Sequence, residues 1–476
     1  MIETLSNPKV LDLSNPVLNE AWLRQRFAGI DWGNGRGVPS ALCGVKIDHV
    51  WEEEKRRVIL YQLFFDGDFQ QPGATYVGFQ VAGERLEKEV RQVQKAVCRQ
   101  PGRGPATLVW PEVNMVLLAF PNDRKMNLLD AEALGRWLRR RIRAGRWFTN
   151  LDPDALSVEA VPLRYVPGKR FTMLCRACSP LPGREQREER FIVKQLNALR
   201  KVRRLARYLE GLKAAMEGNG SSNSAGSPSN EQERFVLPGC LGLLYGWNAI
   251  AIEYLEGQNL KQLLPELDVE PVMYRLGQCL AHFHGLPFRV AKRVTPADEL
   301  EESSEAVEKL SLHLPDAAPQ ARALLDWLRR NPPSASSRGL LHGSFRLNHV
   351  FLAHNRLALF DLDSLRWGPP AYDLANFLTS LYYLQAQGRI DQALRHQICR
   401  QFLAGYVRRS PAAISFQELG WYLVSLLLNK QAFKYVNHSH ADREQKVLAM
   451  LAIGEQISRA SLDKTKSLNR AWSALP

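Results

Sequence analysis

The chain has 476 residues, 45% of them hydrophobic and 24% charged, with a formal net charge of +14. That length calls for two or three domains of ordinary globular composition. The longest compact apolar run, Tyr422 to Leu428, is far short of the roughly 20 residues that cross a bilayer, which excludes a membrane span, and the opening MIETLSNPKV lacks the basic-then-apolar order of a secretory signal, so a cytoplasmic setting is expected.

Residues 1–150 read as one α+β region. Val45 to Phe65 has the alternation of two strands around a charged turn at Glu52 to Arg57, and Thr75 to Val81 reads as a third strand. Glu84 to Val97 has helical periodicity. Two short strands are expected at Thr107 to Trp110 and Met115 to Phe120, then a turn at Pro121-Asn122-Asp123. Asp130 opens a helix to Ile142 as its cap. Arginines crowd that helix (Arg136, Arg139 to Arg141, Arg143) and return at Arg200, Arg203, Arg204 and Arg207. They imply either an anionic partner or simply solvated helix faces. No zinc-finger or RNA-recognition pattern points to nucleic acid.

The next region repeats the order. Ser157 to Tyr165 and Arg170 to Ala177 flank the turn Pro167-Gly168-Lys169, Arg190 to Gln195 is a third strand, and Leu199 to Met216 is a helix. Among the seven cysteines, only Cys175 and Cys178 form a CxxC pair. Three apart in a strand they face opposite ways, and with no second pair they read as buried thiols rather than a zinc site. Residues 217–233, rich in Gly, Ser and Asn, read as a disordered surface insertion. Strands at Val236 to Leu243 and Trp247 to Leu255 close the unit. Both regions thus run strand, turn, strand, strand, helix, strand, strand, with Met115 to Asp123 standing where Ala249 to Gly257 stands. Residues 1–150 are either a degenerate copy of residues 151–260 or an unrelated α+β domain.

Chemistry concentrates in three places. Arg190 to Gln195 carries one lysine, Lys194, in an apolar strand. Such a lysine needs an anion beside it unless the strand lies at an edge. Residues 261–476 read as mainly helical, Leu276 to Pro287 being an amphipathic helix whose His282 and His284 suit packing or capping. Within this region, 340–378 contain His342-Gly343-Ser344-Phe345-Arg346-Leu347-Asn348-His349, a short hairpin, Asp361-Leu362-Asp363, Gly368, and Asp373-Leu374-Ala375 opening a helix.

This set of spacings resembles the aminoglycoside phosphotransferase and choline kinase-like superfamily over about residues 155 to 435. The resemblance implies a bilobal protein kinase-like fold of class α+β: a small antiparallel sheet lobe (151–260), a mainly helical lobe (261–476), and an extra N-terminal domain (1–150). It further implies that Lys194, paired with Glu210, meets nucleotide phosphates and that the strand through Glu253 and Leu255 borders the adenine. Asp361, with Asp363 and His349, falls at the metal position. Asp373 supports the loop, His342 falls with Ser344 and Arg346 in the catalytic set, and Arg346 stands where many kinases carry a lysine that neutralises the transferred group. ATP and Mg²⁺ are the implied cofactors.

The departures from this pattern lie in the loop itself. Ser344 occupies the place of the aspartate base, and a hydroxyl does not accept a proton at neutral pH as a carboxylate does. His349 replaces the metal-binding asparagine, and imidazole is a poor magnesium ligand, while Asn348 is one residue out of register. The expectation is a pseudokinase acting through a protein partner or a ligand. The alternative is an atypical phosphotransferase acting on a hydroxyl of a small molecule. The acceptor pocket is expected on helices near Asn376 to Tyr406 and Leu419 to Val436, the latter reading as apolar core or a partner surface.

Overall fold

The computed structural model describes residues 15–32, 41–53, 55–66, 72–181, 184–218, 233–333, 337–410, 414–436 and 442–462. The expected insertion at 217–233 lies almost wholly outside them. The chain is α+β and divides into two compact units, one of Met1–Arg203 with Leu241–Glu253, the other of Arg204–Cys240 with Tyr254–Pro476.

The first unit holds two five-stranded sheets. Strands β1 (Leu42–Glu53), β2 (Arg56–Phe65), β3 (Ala74–Val81), β4 (Thr107–Trp110) and β5 (Met115–Ala119) line up in the order β1-β2-β3-β5-β4. Strands β6 (Ser157–Val166), β7 (Arg170–Leu181), β8 (Arg184–Leu196), β9 (Cys240–Leu244) and β10 (Ala249–Glu253) take the same order, β6-β7-β8-β10-β9. The last two strands of each sheet are joined by a 3₁₀ turn ending on a left-handed asparagine, Asn114 at φ 51° and Asn248 at φ 50°. Asparagine tolerates that conformation better than most residues with a Cβ.

Alternation along β2 sends its side chains into two cores. Ile59, Tyr61 and Leu63 join Leu23 and Phe27 of α1 (Glu20–Ala28) on one face, while Val58 and Leu60 join Val93 of α2 (Leu86–Lys95) on the other. Helix α3 (Ala131–Arg143), capped by Asp130, which accepts from the Ala133 amide at 2.6 Å, covers the second sheet: Leu134, Leu138 and Ile142 pack with Phe171, Met173 and Phe191. Asp123 ties the turns together by accepting from the Tyr165 hydroxyl and the Gly168 amide, each at 2.7 Å. Cys175 and Cys178 are buried free thiols.

One strand differs from expectation. Val236 does not belong to β9. Its amide donates to the Leu357 carbonyl at 2.8 Å and its carbonyl accepts from Leu359 at 2.9 Å, both within the second unit. Pro238, with no amide to donate, and Gly239 separate it from β9.

The second unit is built on most of α4 (Leu199–Gly218) and on helices α5 (Leu260–Leu263), α6 (Val269–His284), α7 (Pro296–His313), α8 (Ala318–Arg330), α9 (Ala371–Ala386), α10 (Gln392–Arg409), α11 (Phe416–Leu426), α12 (Phe433–Val436) and α13 (Arg443–Ala460). The helices expected near Asn376 to Tyr406 are α9 and α10, parted where Gly388 turns left-handed at φ 65°. Residues Leu427–Ala432 form one π-helical turn between α11 and α12. Helices α6 and α10 cross in direct backbone contact at Gly277 and Gly405, where an added Cβ would overlap the Phe402 and Tyr274 carbonyls. Gly405→Ala is expected to destabilise by about 3 kcal/mol, although alanine favours an isolated helix by about 1 kcal/mol. A melting temperature at or above that of the wild type would remove this close approach as a constraint.

Candidate functional site

The loop after β12 (Gly339–Leu341) is held from both sides. β12 pairs with β15 (Arg366–Gly368), and β13 (Val350–Ala353) pairs with β14 (Arg356–Leu359) and with β11 (Gln258–Asn259). Gly343 turns at φ 81°, and an added Cβ would overlap the Ser364 carbonyl, so only glycine fits. Phe345 is fully buried among Phe235, Phe377 and Phe402. With that ring anchored inward, its neighbours Ser344 and Arg346 stay half-buried.

Asp373, in the first turn of α9 and with no exposed surface, organises the loop. It accepts from the His342 amide at 2.6 Å, the Gly343 amide at 2.9 Å and His284 Nε2 at 3.3 Å. With Nε2 donating, His284 Nδ1 accepts from the Tyr406 hydroxyl at 2.9 Å. Burial pushes the Asp373 carboxyl up, but the bond and charge of His284, then His342, outweigh it and hold it below its usual range.

His342 Nε2 donates to the Phe360 carbonyl at 2.8 Å, which leaves Nδ1 as an acceptor facing Ser344 Oγ at 3.4 Å. Where a base is needed, the loop therefore offers a hydroxyl in long contact with an imidazole nitrogen. His349 is 7% exposed, and burial, then the charges of His342 and Arg346, hold its pKa down to about 3. It is neutral, so its 3.6 Å approach to Asp361 is not an ion pair. Its Nε2 accepts from Arg346 Nε at 3.2 Å. Asn348 is exposed, its carbonyl accepting from Asn259 at 2.8 Å.

Asp361 sits in the left-handed region at φ 60°, an uncommon setting for aspartate, with a side chain 27% exposed. Asp363 follows in the 3₁₀ turn Leu362–Ser364. Among the described residues no three His, Cys, Asp or Glu side chains gather as a metal cage. Magnesium asks less than that: one or two carboxylates, with phosphates and water completing the shell. Asp361 fits such a role. His349, with Nε2 committed to Arg346, does not.

The structure brings together His342, Ser344, Arg346, His349, Asp361 and Asp373 in the second unit. Lys194 lies in the first unit on β8, the central strand of its sheet, 7% exposed and in register with Thr172 and Ile250. Glu253 ends β10 opposite Phe191, and Glu210 and Leu255 fall within the second unit.

Sequence reading passed over two lysines. Lys430, on the π-helical turn, donates to the Tyr372 hydroxyl at 2.9 Å and Asn376 Oδ1 at 3.1 Å. Lys434, four residues on, donates to Gln431 Oε1 at 2.7 Å and lies 4.5 Å from the centre of the Tyr383 ring. Two lysines spaced i, i+4 inside an otherwise apolar helical run were the signal available for finding them.

Residues 232–412 match the profile of the phosphotransferase enzyme family APH. The structure is similar to choline kinase from Cryptosporidium parvum Iowa II, at 11% identity, covering 70% of this chain and 97% of that one, with a TM-score of 0.44. It is also similar to the choline kinase LicA from Streptococcus pneumoniae, at 13% identity, 67% and 99% coverage and TM-score 0.42. A third similar structure is spectinomycin phosphotransferase in complex with ADP and spectinomycin, at 11% identity, 69% and 98% coverage and TM-score 0.42. No curated protein sequence matches the chain.

Proposed function

We propose, from the match of residues 232–412 to the phosphotransferase enzyme family, that the chain is a kinase-like protein with a degenerate transfer site, acting by binding a ligand rather than by rapid phosphoryl transfer. The observation that carries this reading is Ser344, whose hydroxyl stands in the place of the base 3.4 Å from His342 Nδ1. Without a carboxylate there, the acceptor hydroxyl loses general-base help worth about 10²–10⁴-fold.

A second reading, a slow phosphotransferase acting on a hydroxylated small molecule, is favoured by what remains. The Asp373 lattice holds the loop, Arg346 supplies a fixed charge beside it, and Asp361 keeps a partly exposed carboxylate. Phosphoryl transfer depends mostly on positioning and electrostatics, so loss of the base slows it without removing it. Asp361 would hold magnesium, which supplies positive charge to phosphates when bound.

The test is thermal stability with ATP and Mg²⁺. Ligand at 100 times its Kd stabilises by about 2.7 kcal/mol, and Asp361→Ala is expected to remove most of that gain. Absence of any shift in the wild type rejects nucleotide binding. Fast multiple-turnover transfer by the wild type, lost in Asp361→Ala, rejects the degenerate reading.

A further inference from the structure

The first unit contains an open cavity of about 90 Å³ between one face of its first sheet and the β6–β7 turn. None of the residues gathered around Ser344 lines it, and neither does Lys194. Its floor is apolar: Val58, Val77 and Leu118 belong to the core that also holds Val93 of α2. Its rim carries Arg56, Arg124, Lys125 and Lys169. Arg56 and Arg124 are held side by side. Both bond Glu89 Oε1, and both lie over the ring of Phe79, at 5.3 Å and 5.0 Å from its centre. Their side chains are only 17% and 16% exposed.

The turn that closes the cavity is fixed in place. Asn197 donates from Nδ2 to the Gly168 carbonyl at 3.0 Å and from its amide to the Lys169 carbonyl at 3.2 Å. The Lys125 stem crosses Gly168 so closely that a Cβ added there would lie 3.1 Å from its Cδ, which brings Lys125 beside the turn that carries Lys169. Two carboxylates also line the cavity, Glu53 and Asp123, but both are engaged. Glu53 accepts from Arg56 Nε at 2.6 Å. Asp123 accepts from the amides of Lys125, Met126 and Gly168 and from the Tyr165 hydroxyl, all between 2.7 and 3.0 Å. Four cations therefore face two carboxylates that already have donors. Arg124 spends two of its five N–H donors, on Glu89 and Gln92, and those left over suit a further carboxylate oxygen.

An apolar floor under a cationic rim calls for a ligand with an apolar body and one anionic head. A bare inorganic anion would leave the floor in water, and a neutral or basic ligand would leave the rim without a partner. Size narrows the body. A cavity of about 150 Å³ admits benzene, so the smaller one here takes a chain of about four carbons with its head at the mouth. We infer that this cavity binds a short aliphatic monocarboxylate, its tail on Val58, Val77 and Leu118 and its carboxylate among Arg124, Lys125 and Lys169.

The experiment is calorimetric titration of the full chain with isovalerate, isovaleramide, inorganic phosphate and the straight-chain carboxylates from propionate to octanoate. Isovalerate is expected to bind, isovaleramide about 10-fold more weakly for want of a charged head, and phosphate not at all. Affinity is expected to rise about 4-fold with each methylene from propionate to pentanoate, the worth of one buried CH₂, and then to level off as the cavity fills. Lys125→Met combined with Lys169→Met is expected to weaken isovalerate about 10-fold. Both side chains are exposed, so the ligand-free melting temperature is expected to stay that of the wild type. If the double variant does not fold, the methylene series on the wild type decides alone. No binding of isovalerate, equal binding of phosphate or isovaleramide, an affinity still rising at octanoate, or full affinity in the double variant would overturn the inference. Stabilisation by ATP and Mg²⁺ is a separate result, because no residue of the Ser344 loop takes part in this site.

Discussion

Ser344→Asp is expected to raise transfer of the γ-phosphoryl group from ATP by about 10²–10⁴-fold, the usual worth of a positioned general base. The geometry around the residue supports so large an effect. Gly343 and Asp373 hold the backbone in a single turn, Phe345 anchors it from below, and Ser344 itself is half-buried with its side chain toward His342 Nδ1. A carboxylate introduced there would have Arg346 two residues away to offset its charge. The measurement is ADP release with an acceptor present, comparing Ser344→Asp with Ser344→Asn, which has nearly the same shape and cannot accept a proton. Asp361→Ala added to the aspartate variant is expected to remove the gain. Should Ser344→Asp bind nucleotide and still transfer no faster than wild type, the missing base is not what limits this protein.

Asp373→Ala is expected to cost about 3–5 kcal/mol, the range for breaking a buried charged cluster from one side. The carboxylate serves two loop amides and His284, and each amide left buried without a partner adds to the loss. At about 2–4 °C per kcal/mol for a domain of this size, the melting temperature falls by about 6–20 °C. The same residue gives the second unit an acid-sensitive limb. Its folded pKa lies below the ordinary value of about 3.9. Its stabilising contribution is therefore fully present above about pH 4 and lost as pH falls through the lower folded value. Asp373→Asn is expected to lack that limb. Melting curves between pH 5 and pH 2.5 check this, and equal acid sensitivity in wild type and Asp373→Asn would sink it.

The loop was legible in the sequence because its features are local. The turn at Gly343, the hairpin after His349 and the helix opening at Asp373 follow each other within about thirty residues, and the spacing between them is itself the pattern. The strands of the first unit were legible for a similar reason: β2 alternates cleanly between two cores, and its turns are marked by charge or glycine. Val236 was misplaced because an apolar residue beside Pro238 carries no mark of which sheet its amide will join.

The electrostatics of the loop were less readable. His349 reads in sequence as a weak metal ligand. In the structure its Nε2 is occupied by Arg346 and its burial keeps it neutral. Lys430 and Lys434 vanish into an apolar run, since hydropathy averages over a window and hides two charges in it. Whether a lysine is a solvated tip or a buried donor depends on Tyr372, Asn376, Gln431 and Tyr383, up to 58 positions away along the chain.

By itself, then, the order of residues determined the α+β class, the element order of both sheets and the serine at the place of the base, because periodicity, turn chemistry and motif spacing act over a few residues at a time. Only the tertiary structure decided that both sheets share one strand order, that α3 covers the second of them, and that Lys434 is held between Gln431 and the face of Tyr383. Pairing, packing and field strength are sums over neighbours brought together by folding, and no short stretch of chain contains them.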